Sequence, residues 1–429
     1  MRFQNGSEGS STMTKLKNIV DEFSKYIILK DPEILRMIFA AMVGNSIIDS
    51  DPIWLLIVAP SSGGKTTLLA PLVNIPHVYF VDDLSEKSLL SGFKGKKETS
   101  LLKIIGSGHM VVSDLTSILL KNPVVKGEIL SMLKLVYDGI LTRYTGLGVL
   151  EWRGKIGAIM AGTPDVYEHM EAGRSTGERF TYYWLSQPTN EEIIAKQREV
   201  KISSKEITTI MAEFYAHYME DITGYAAKHG IPELKLTPEQ EQEIQHAGIF
   251  CVLAKATIRR DFKSGKPDAI PNIAGAGRDI KIFSTVLRAL LLMKTYEQEG
   301  RAVKIDDSMI HIIKKCAYSA VNRERRKVLE ILVGNGGSLT GSQIGAYAGL
   351  GLEKDAVEQY LHPLHAVGLI KKSASSGAHK WYIDDPSTIS FVKEVSENTK
   401  DNAPVPELAQ EEDLLEQFYS QQTGGEEPV

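Results

Sequence analysis

An α/β fold built around a parallel sheet is predicted by three features of the chain. Between about residues 52 and 190, short apolar runs suited to buried strands (53–59, 78–82, 109–114, 156–162 and 180–185) alternate with helix-like stretches. The first run, Ile53-Trp54-Leu55-Leu56-Ile57-Val58, leads straight into a glycine-containing loop and an apolar helix start. From Asn190 to about Ala320 the periodicity is nearly all helical, which supplies cover for a sheet.

At roughly 100–200 residues per domain, 429 residues make about two to four domains, which excludes a peptide hormone or a lone binding module. A hydrophobic content of 43%, a charged content of 24% and a mean hydropathy of -0.12 exclude wholesale disorder and fibrous repeats. The longest apolar runs, 53–59 and 287–293, fall short of the ~20 residues of a bilayer helix, so no membrane partner is expected. Two cysteines, Cys251 and Cys316, are too few for a metal cluster or a disulfide framework and point to a reducing compartment, the cytoplasm.

Taken in order, residues 1–13 are Gly/Ser-rich without an apolar core and read as a flexible N-terminus or an expression remnant. Residues 14–50 are N-terminal helices: Leu16, Ile19, Phe23, Tyr26 and Ile27 keep helical spacing, and Pro32 opens a second run. The sheet-bearing core spans 51–190 and a helical region 191–321. A compact unit covers 322–386, and 387–429 is an acidic flexible tail. Residues 401–429 hold eight acidic residues and no Lys or Arg; without them the net charge of -5 becomes +3, a mildly basic body compatible with nucleic acid. The tail is a candidate surface for a protein partner.

The chemistry is concentrated in Ala59-Pro60-Ser61-Ser62-Gly63-Gly64-Lys65-Thr66-Thr67, which fits G-x-x-x-x-G-K-[ST] with Ala59 at the first glycine. Glycines let backbone N–H groups converge on phosphates, and the following helix turns its positive end toward them. Lys65 can reach the β/γ-phosphates and Thr66 can ligate Mg²⁺, so ATP and Mg²⁺ are the expected cofactors. A later strand, Met110-Val111-Val112-Ser113, ends at Asp114, read as the magnesium carboxylate, though the residue could also cap the next helix. Leu115 follows where a catalytic glutamate is usual; Asp82, Asp83, Glu128 and Asp138 are the candidate replacements.

Asp114, the strand 156–162 ending at Thr163-Pro164, and Gly177-Glu178-Arg179-Phe180 together resemble the AAA+ ATPases. That resemblance implies a γ-phosphate sensor at Thr163 and an arginine finger acting on a neighbouring subunit at Arg179, with Arg174 as alternate. It also implies a second sensor arginine, Arg278, at the start of an amphipathic helix, with Lys281 competing. Two β-rich runs around Gly146-Leu147-Gly148 form a predicted hairpin. Its position is similar to the pre-sensor-1 hairpin of the branch containing mini-chromosome maintenance and viral replicative helicases. There such hairpins line a ring pore, which implies single-stranded DNA contact by Arg143, Arg153 and Lys155, with Tyr144 and Trp152 beside them.

Residues 322–386 resemble a winged helix domain. The third helix carries Glu353, Asp355 and Glu358 and is interrupted by Pro363, so the wing, with Lys371, Lys372 and Lys380, is the expected phosphate contact. The resemblance implies an ATP-hydrolysing, ring-forming motor, a hexamer, acting on DNA as a replicative-type helicase of a phage or mobile element. A helicase loader or regulatory switch on DNA, and a signalling or defence NTPase, are the alternatives; a buried Arg143 would favour the sensing ATPase.

Overall fold

The computed structural model describes residues 14–90, 100–145, 148–171, 179–256, 270–271, 273–349, 354–373 and 379–398. Helix α1 (Leu16–Ser24) buries Leu16, Ile19 and Phe23 along one face, the spacing of a half-buried helix. Helix α2 (Glu33–Ser46) is buried almost all round, because sheet and other helices enclose it. Strand β1 (Trp54–Val58) follows, then α3 (Lys65–Leu69), β2 (Val78–Phe80), α4 (Glu86–Leu89), α5 (Leu101–Ile105), β3 (His109–Val112), α6 (Leu115–Leu119) and α7 (Pro123–Tyr137). A hairpin of β4 (Ile140–Thr145) and β5 (Gly148–Arg153) precedes β6 (Gly157–Gly162), α8 (Val166–Glu171) and β7 (Phe180–Trp184).

The fold is mixed α/β with a five-stranded parallel sheet in the order β2-β3-β6-β1-β7. Strands β1, β3, β6 and β7 are buried throughout, which is why they read as continuous apolar runs rather than alternating ones. Asn45 fixes where β1 begins. Its amide donates to the Ile53 carbonyl at 3.0 Å and its carbonyl accepts from the Ile53 N–H at 2.7 Å. Gly157 makes room for this, since a Cβ there would stand 2.2 Å from Asn45 Nδ2. With β6 inserted between β1 and β3, the chain leaves β1 toward one side of the sheet and returns to β7 on the other. The carboxyl end of β1 is therefore a topological switch point, where open α/β sheets place ligands.

Helices α9 (Asn190–Glu199), α10 (Ser204–His229) and α11 (Pro238–Ala254) each start at a capping box, on Thr189, Ser203 and Thr237. Helices α12 (Gly277–Glu297) and α13 (Asp307–Ser319) complete the layer. Tyr215 of α10 donates to the Leu68 carbonyl of α3 at 3.2 Å, so the helical layer is tied to the helix that follows the glycine loop. Ser319 accepts from the Trp184 N–H at 2.9 Å, tying α13 to β7.

The last unit runs α14 (Arg323–Gly334), β8 (Leu339–Thr340), α15 (Gly341–Ala348), α16 (Lys354–Ala366), β9 (Lys371–Lys372) and β10 (Lys380–Tyr382). Its strands form an antiparallel sheet in the order β8-β10-β9, and Arg326 lies over the Trp184 ring at 4.0 Å, docking α14 on the main sheet. Where the sequence ends the folded body near residue 386, the structure continues in α17 (Pro386–Asn398). That helix buries Phe391, Val392 and Val395, and Glu394 accepts from Lys314 at 2.7 Å. Its apolar residues recur at one helical face, a pattern masked in the sequence by the polar stretch around it. The acidic segment 401–429 lies outside the described residues. Among the described residues, no helix is long and apolar enough to cross a membrane.

His109 at the start of β3 is buried, and burial, with the Lys155 cation as a smaller cause, pushes its imidazole down to about 4. Its folded value thus lies below the unfolded one of roughly 6.5. Stability held above pH 6.5 is lost as pH falls, and the loss is complete below about 4. The expected contribution is about 3 kcal/mol. In urea titrations between pH 7 and 4, His109→Gln should show a shallower loss of stability than the parent; equal slopes would show that His109 is not the group being protonated.

Candidate nucleotide site

The loop after β1 is shaped by its own backbone. Ala59 donates to the Gly162 carbonyl at 3.2 Å and Gly63 to the Pro60 carbonyl at 3.1 Å, closing a tight turn. Ser62 (φ 63°) and Gly64 (φ 76°) are both left-handed, and Gly64 caps α3 without a side-chain bond. Gly63 is needed for space: a Cβ there would come within 2.6 Å of Gln187 Oε1 and 2.9 Å of the Pro60 carbonyl. Lys65 folds over the turn, donating to the Ala59 carbonyl at 2.6 Å and the Pro60 carbonyl at 2.7 Å. Burial lowers its ammonium's proton affinity, and Asp114 opposes that effect. Ser61, Ser62 and Thr66 are exposed at the mouth of the turn, with Thr67 half-buried behind them.

Asp114 and Thr163 reach the same carboxyl edge from β3 and β6, the strands on one side of β1. Asp114 accepts from the Thr116 N–H at 3.0 Å and so caps α6 while remaining close enough to act on Lys65. Thr116 Oγ1 accepts from the Thr163 N–H at 2.8 Å and shares a hydrogen bond with Thr163 Oγ1 at 3.2 Å. The Thr163 hydroxyl also donates to Asp165 at 3.0 Å. Gly162 permits this approach, since its Cβ would meet Val166 at 2.4 Å and Thr116 Oγ1 at 3.2 Å. Thr116 and Gln187 are site residues that the sequence does not single out. Both follow a strand of the switch-point edge by three or four positions, a pattern that has meaning only once strand order is known.

Leu115 is fully buried, so the position after Asp114 points into the core. Of the candidate bases, Asp82 is exposed just past β2, Asp83 pairs with Lys121, and Glu128 is exposed on α7. Asp138 is not brought to the loop: it lies at the far edge, bound to Arg179. As for a metal, Thr66 in the first turn of α3 and Asp114 are the hydroxyl and carboxylate that would serve Mg²⁺ if phosphates and waters completed its shell. Among the described residues, no group of three or more His, Cys, Asp or Glu could hold an ion alone.

The arginines stand elsewhere. Arg179 precedes β7 and Arg278 starts α12, at the amino edge of the sheet; the five residues of β1, at about 3.3 Å each, separate them from the loop by about 16 Å. Arg179 is largely buried, meets Asp138 at 3.2 Å and stacks over Tyr137 at 5.4 Å. Arg278 and Lys281 line a cleft of about 590 Å³ with Asp51, Tyr137, Asp138 and Lys155. Arg278 therefore does not face the loop of its own chain. Arg174 lies outside the described residues.

In the hairpin, pairing sets Leu141, Arg143, Leu150 and Trp152 on the inner face and Ile140, Thr142, Tyr144, Val149, Glu151 and Arg153 on the outer one. Trp152 is buried and Arg143 donates to the Leu90 carbonyl at 3.2 Å. Lys155 donates to the Gly44 and Ile48 carbonyls at 3.2 and 2.8 Å, at the end of α2. Arg153 pairs with Glu151 at 2.7 Å at the surface, and Tyr144 is 81% exposed. The structure thus does not gather Arg143, Arg153 and Lys155 on one face. In the last unit Lys371 pairs with Asp384 at 2.5 Å, Lys372 lies over Trp381 at 5.1 Å and Lys380 is exposed. The turn between β9 and β10 lies largely outside the described residues. In comparisons with known proteins, no family model and no curated protein matches the chain.

Proposed function

We propose that the chain is an ATP-hydrolysing ATPase of the AAA+ type that works as a ring of copies, a hexamer by resemblance, and drives a regulatory or loading step. One observation carries this reading: the glycine turn with Lys65, Asp114 and Thr163 converge on the carboxyl edge of the sheet at its switch point. In the proposed reaction Lys65 exchanges the Ala59 and Pro60 carbonyls for β/γ-phosphate oxygens, and loop N–H groups hold the phosphate chain. Thr163, fixed by Thr116, orients the attacking water or the γ-phosphate. Mg²⁺ held by Thr66 and Asp114 would neutralise phosphate charge. Arg179 and Arg278, remote from their own loop, suit a neighbour's nucleotide, where an arginine contributes about 10³–10⁵ in rate.

The winged-helix resemblance of residues 322–386 enters as a docking unit for DNA or protein, with Lys380 among the exposed cations of its described residues. The replicative-helicase reading keeps one support, Tyr144 and Arg153 exposed on one hairpin face, where stacking and phosphate contact can combine. Arg143 and Lys155 are engaged with backbone carbonyls, which speaks against a pore-lining hairpin and favours the readings that need none, the switch, the loader and the signalling NTPase.

Hydrolysis measured with and without single-stranded and forked DNA, beside light-scattering mass with a slowly hydrolysed ATP analogue, tests this. Mg²⁺-dependent hydrolysis with a nucleotide-induced rise in mass is expected. Strand separation abolished by Tyr144→Ala/Arg153→Ala would restore the helicase reading, and a wild-type protein without hydrolysis would remove both.

A further inference from the structure

Two arginines far apart in sequence need a common frame if they are to meet one ligand. Arg179 sits next to Phe180, the first residue of β7, and Arg278 next to Asp279 in the first turn of α12. Between these elements lies Lys255, at the end of α11 and buried. Its ammonium donates to the Phe180 carbonyl at 2.8 Å and to Asp279 Oδ1 at 2.7 Å. Cys251, one turn earlier on α11, donates to the same carboxylate oxygen at 3.5 Å. A lysine and an aspartate, both nearly out of solvent, are costly to bury unless paired, so this contact is held in one geometry. The amino edge thus carries a buried bridge whose two ends are the residues adjoining the two arginines.

Tyr137 marks where those arginines converge. Its ring meets Trp54 edge-to-face at 5.4 Å between centroids and lies under Arg179, while its side chain lines the same cleft as Arg278. Arg278, Arg179 and Lys255 all act electrostatically on its phenol. Arg179 thus lies on the Tyr137 ring and Arg278 beside it in the cleft, while Lys255 is buried behind them, bonded to the residues that adjoin both.

We propose that Lys255, bridging Phe180 and Asp279, is the positioning residue that sets Arg179 and Arg278 at a fixed separation for the phosphates of a neighbouring copy's nucleotide. This rests on the shared-site reading above. Lys255 touches no nucleotide itself; it acts by preventing α12 from sliding relative to β7. Misplacement of a catalytic group by about 1 Å can cost about 10²-fold in rate.

The test uses the full chain with Lys255→Met/Asp279→Leu, which removes both buried charges together so that neither is left unpaired. Lys255→Arg serves as the variant that keeps charge and donors. Nucleotide affinity of the loop, measured with a fluorescent ATP analogue, should stay within about twofold, while kcat falls by about 10–100-fold and Lys255→Arg regains part of it. Mixing the double variant with Lys65→Ala subunits should restore turnover, since each supplies what the other lacks. A double variant with parental kcat, or one whose defect the mixture does not relieve, overturns the proposal. The Arg179→Ala with Lys65→Ala mixture separates the two levels. If it regains activity while the Lys255 mixture does not, the shared site stands and the bridge has no part in it. If Arg179→Ala alone keeps full turnover, the shared-site reading falls and the proposal with it. Should the double variant not fold, Lys255→Gln/Asp279→Asn, which removes both charges together but leaves a side chain too short to span the two contacts of the lysine, takes its place in the same measurements, and the same outcomes support or overturn the bridge.

Discussion

Lys65→Ala should lower ATP turnover by about 10²–10³-fold or more, the scale of removing one preorganised donor from a developing oxyanion, without unfolding the protein. The side chain lies over a turn built from backbone bonds of Ala59 and Gly63, and none of those depends on the lysine. Its ammonium is half-buried, and burial disfavours its charge, with only partial relief from Asp114. Truncation therefore removes a desolvated cation along with two carbonyl contacts, and the melting temperature should move by only a few degrees. Asp114→Asn should keep nucleotide binding and lose hydrolysis, because the amide retains an acceptor for the Thr116 N–H but not the charge for Mg²⁺. Steady-state hydrolysis and analogue binding on both variants check this. Near-normal turnover in either would place the chemistry elsewhere.

Lys315→Ala should destabilise the fold by about 3–5 kcal/mol, the cost of leaving a buried charge without its partner. Asp31, just before α2, is 4% exposed and accepts from Lys315 of α13 at 2.6 Å and from the Tyr183 hydroxyl of β7 at 2.9 Å. Lys315 is 3% exposed and stands 5.0 Å over the Tyr183 ring. Burial, reinforced by Asp31, holds the Tyr183 phenol far above its ordinary value, so it stays protonated and donates. One carboxylate thus joins the N-terminal helices, the sheet and the helical layer. Denaturant midpoints for Lys315→Ala, Asp31→Ala and the double variant form a cycle. Each single change should cost more than half of what both cost together. Additive losses would show that the pair is not coupled.

Much of the architecture was legible along the chain. The strands at 53–59, 109–114, 156–162 and 180–185 fall within a residue or two of those observed, because strands buried on both faces leave uninterrupted apolar runs. The hairpin was legible from its β-rich flanks and glycine turn. Helix α17 was not, since four apolar residues in a polar stretch, three of them buried, acquire meaning only from the surface of α13 and α14 that they cover.

Residue type and spacing determined the local chemistry: a glycine turn followed by Lys65 and Thr66, a carboxylate ending one strand, a threonine ending another. Those are properties of short segments, where backbone geometry follows from a few neighbouring residues. Which of them meet was decided by strand order, which puts β6 between β1 and β3 and so brings Thr163 and Asp114 to the loop's edge. The same order sends Arg179 and Arg278 to the opposite edge, about 16 Å away, a placement that the sequence does not show for Arg278. Pairing and burial decided the rest, turning Arg143 and Lys155 inward to carbonyls while Arg153 stays at the surface. A cation's neighbours come from segments distant in sequence, and only the packed chain brings them within hydrogen-bonding reach.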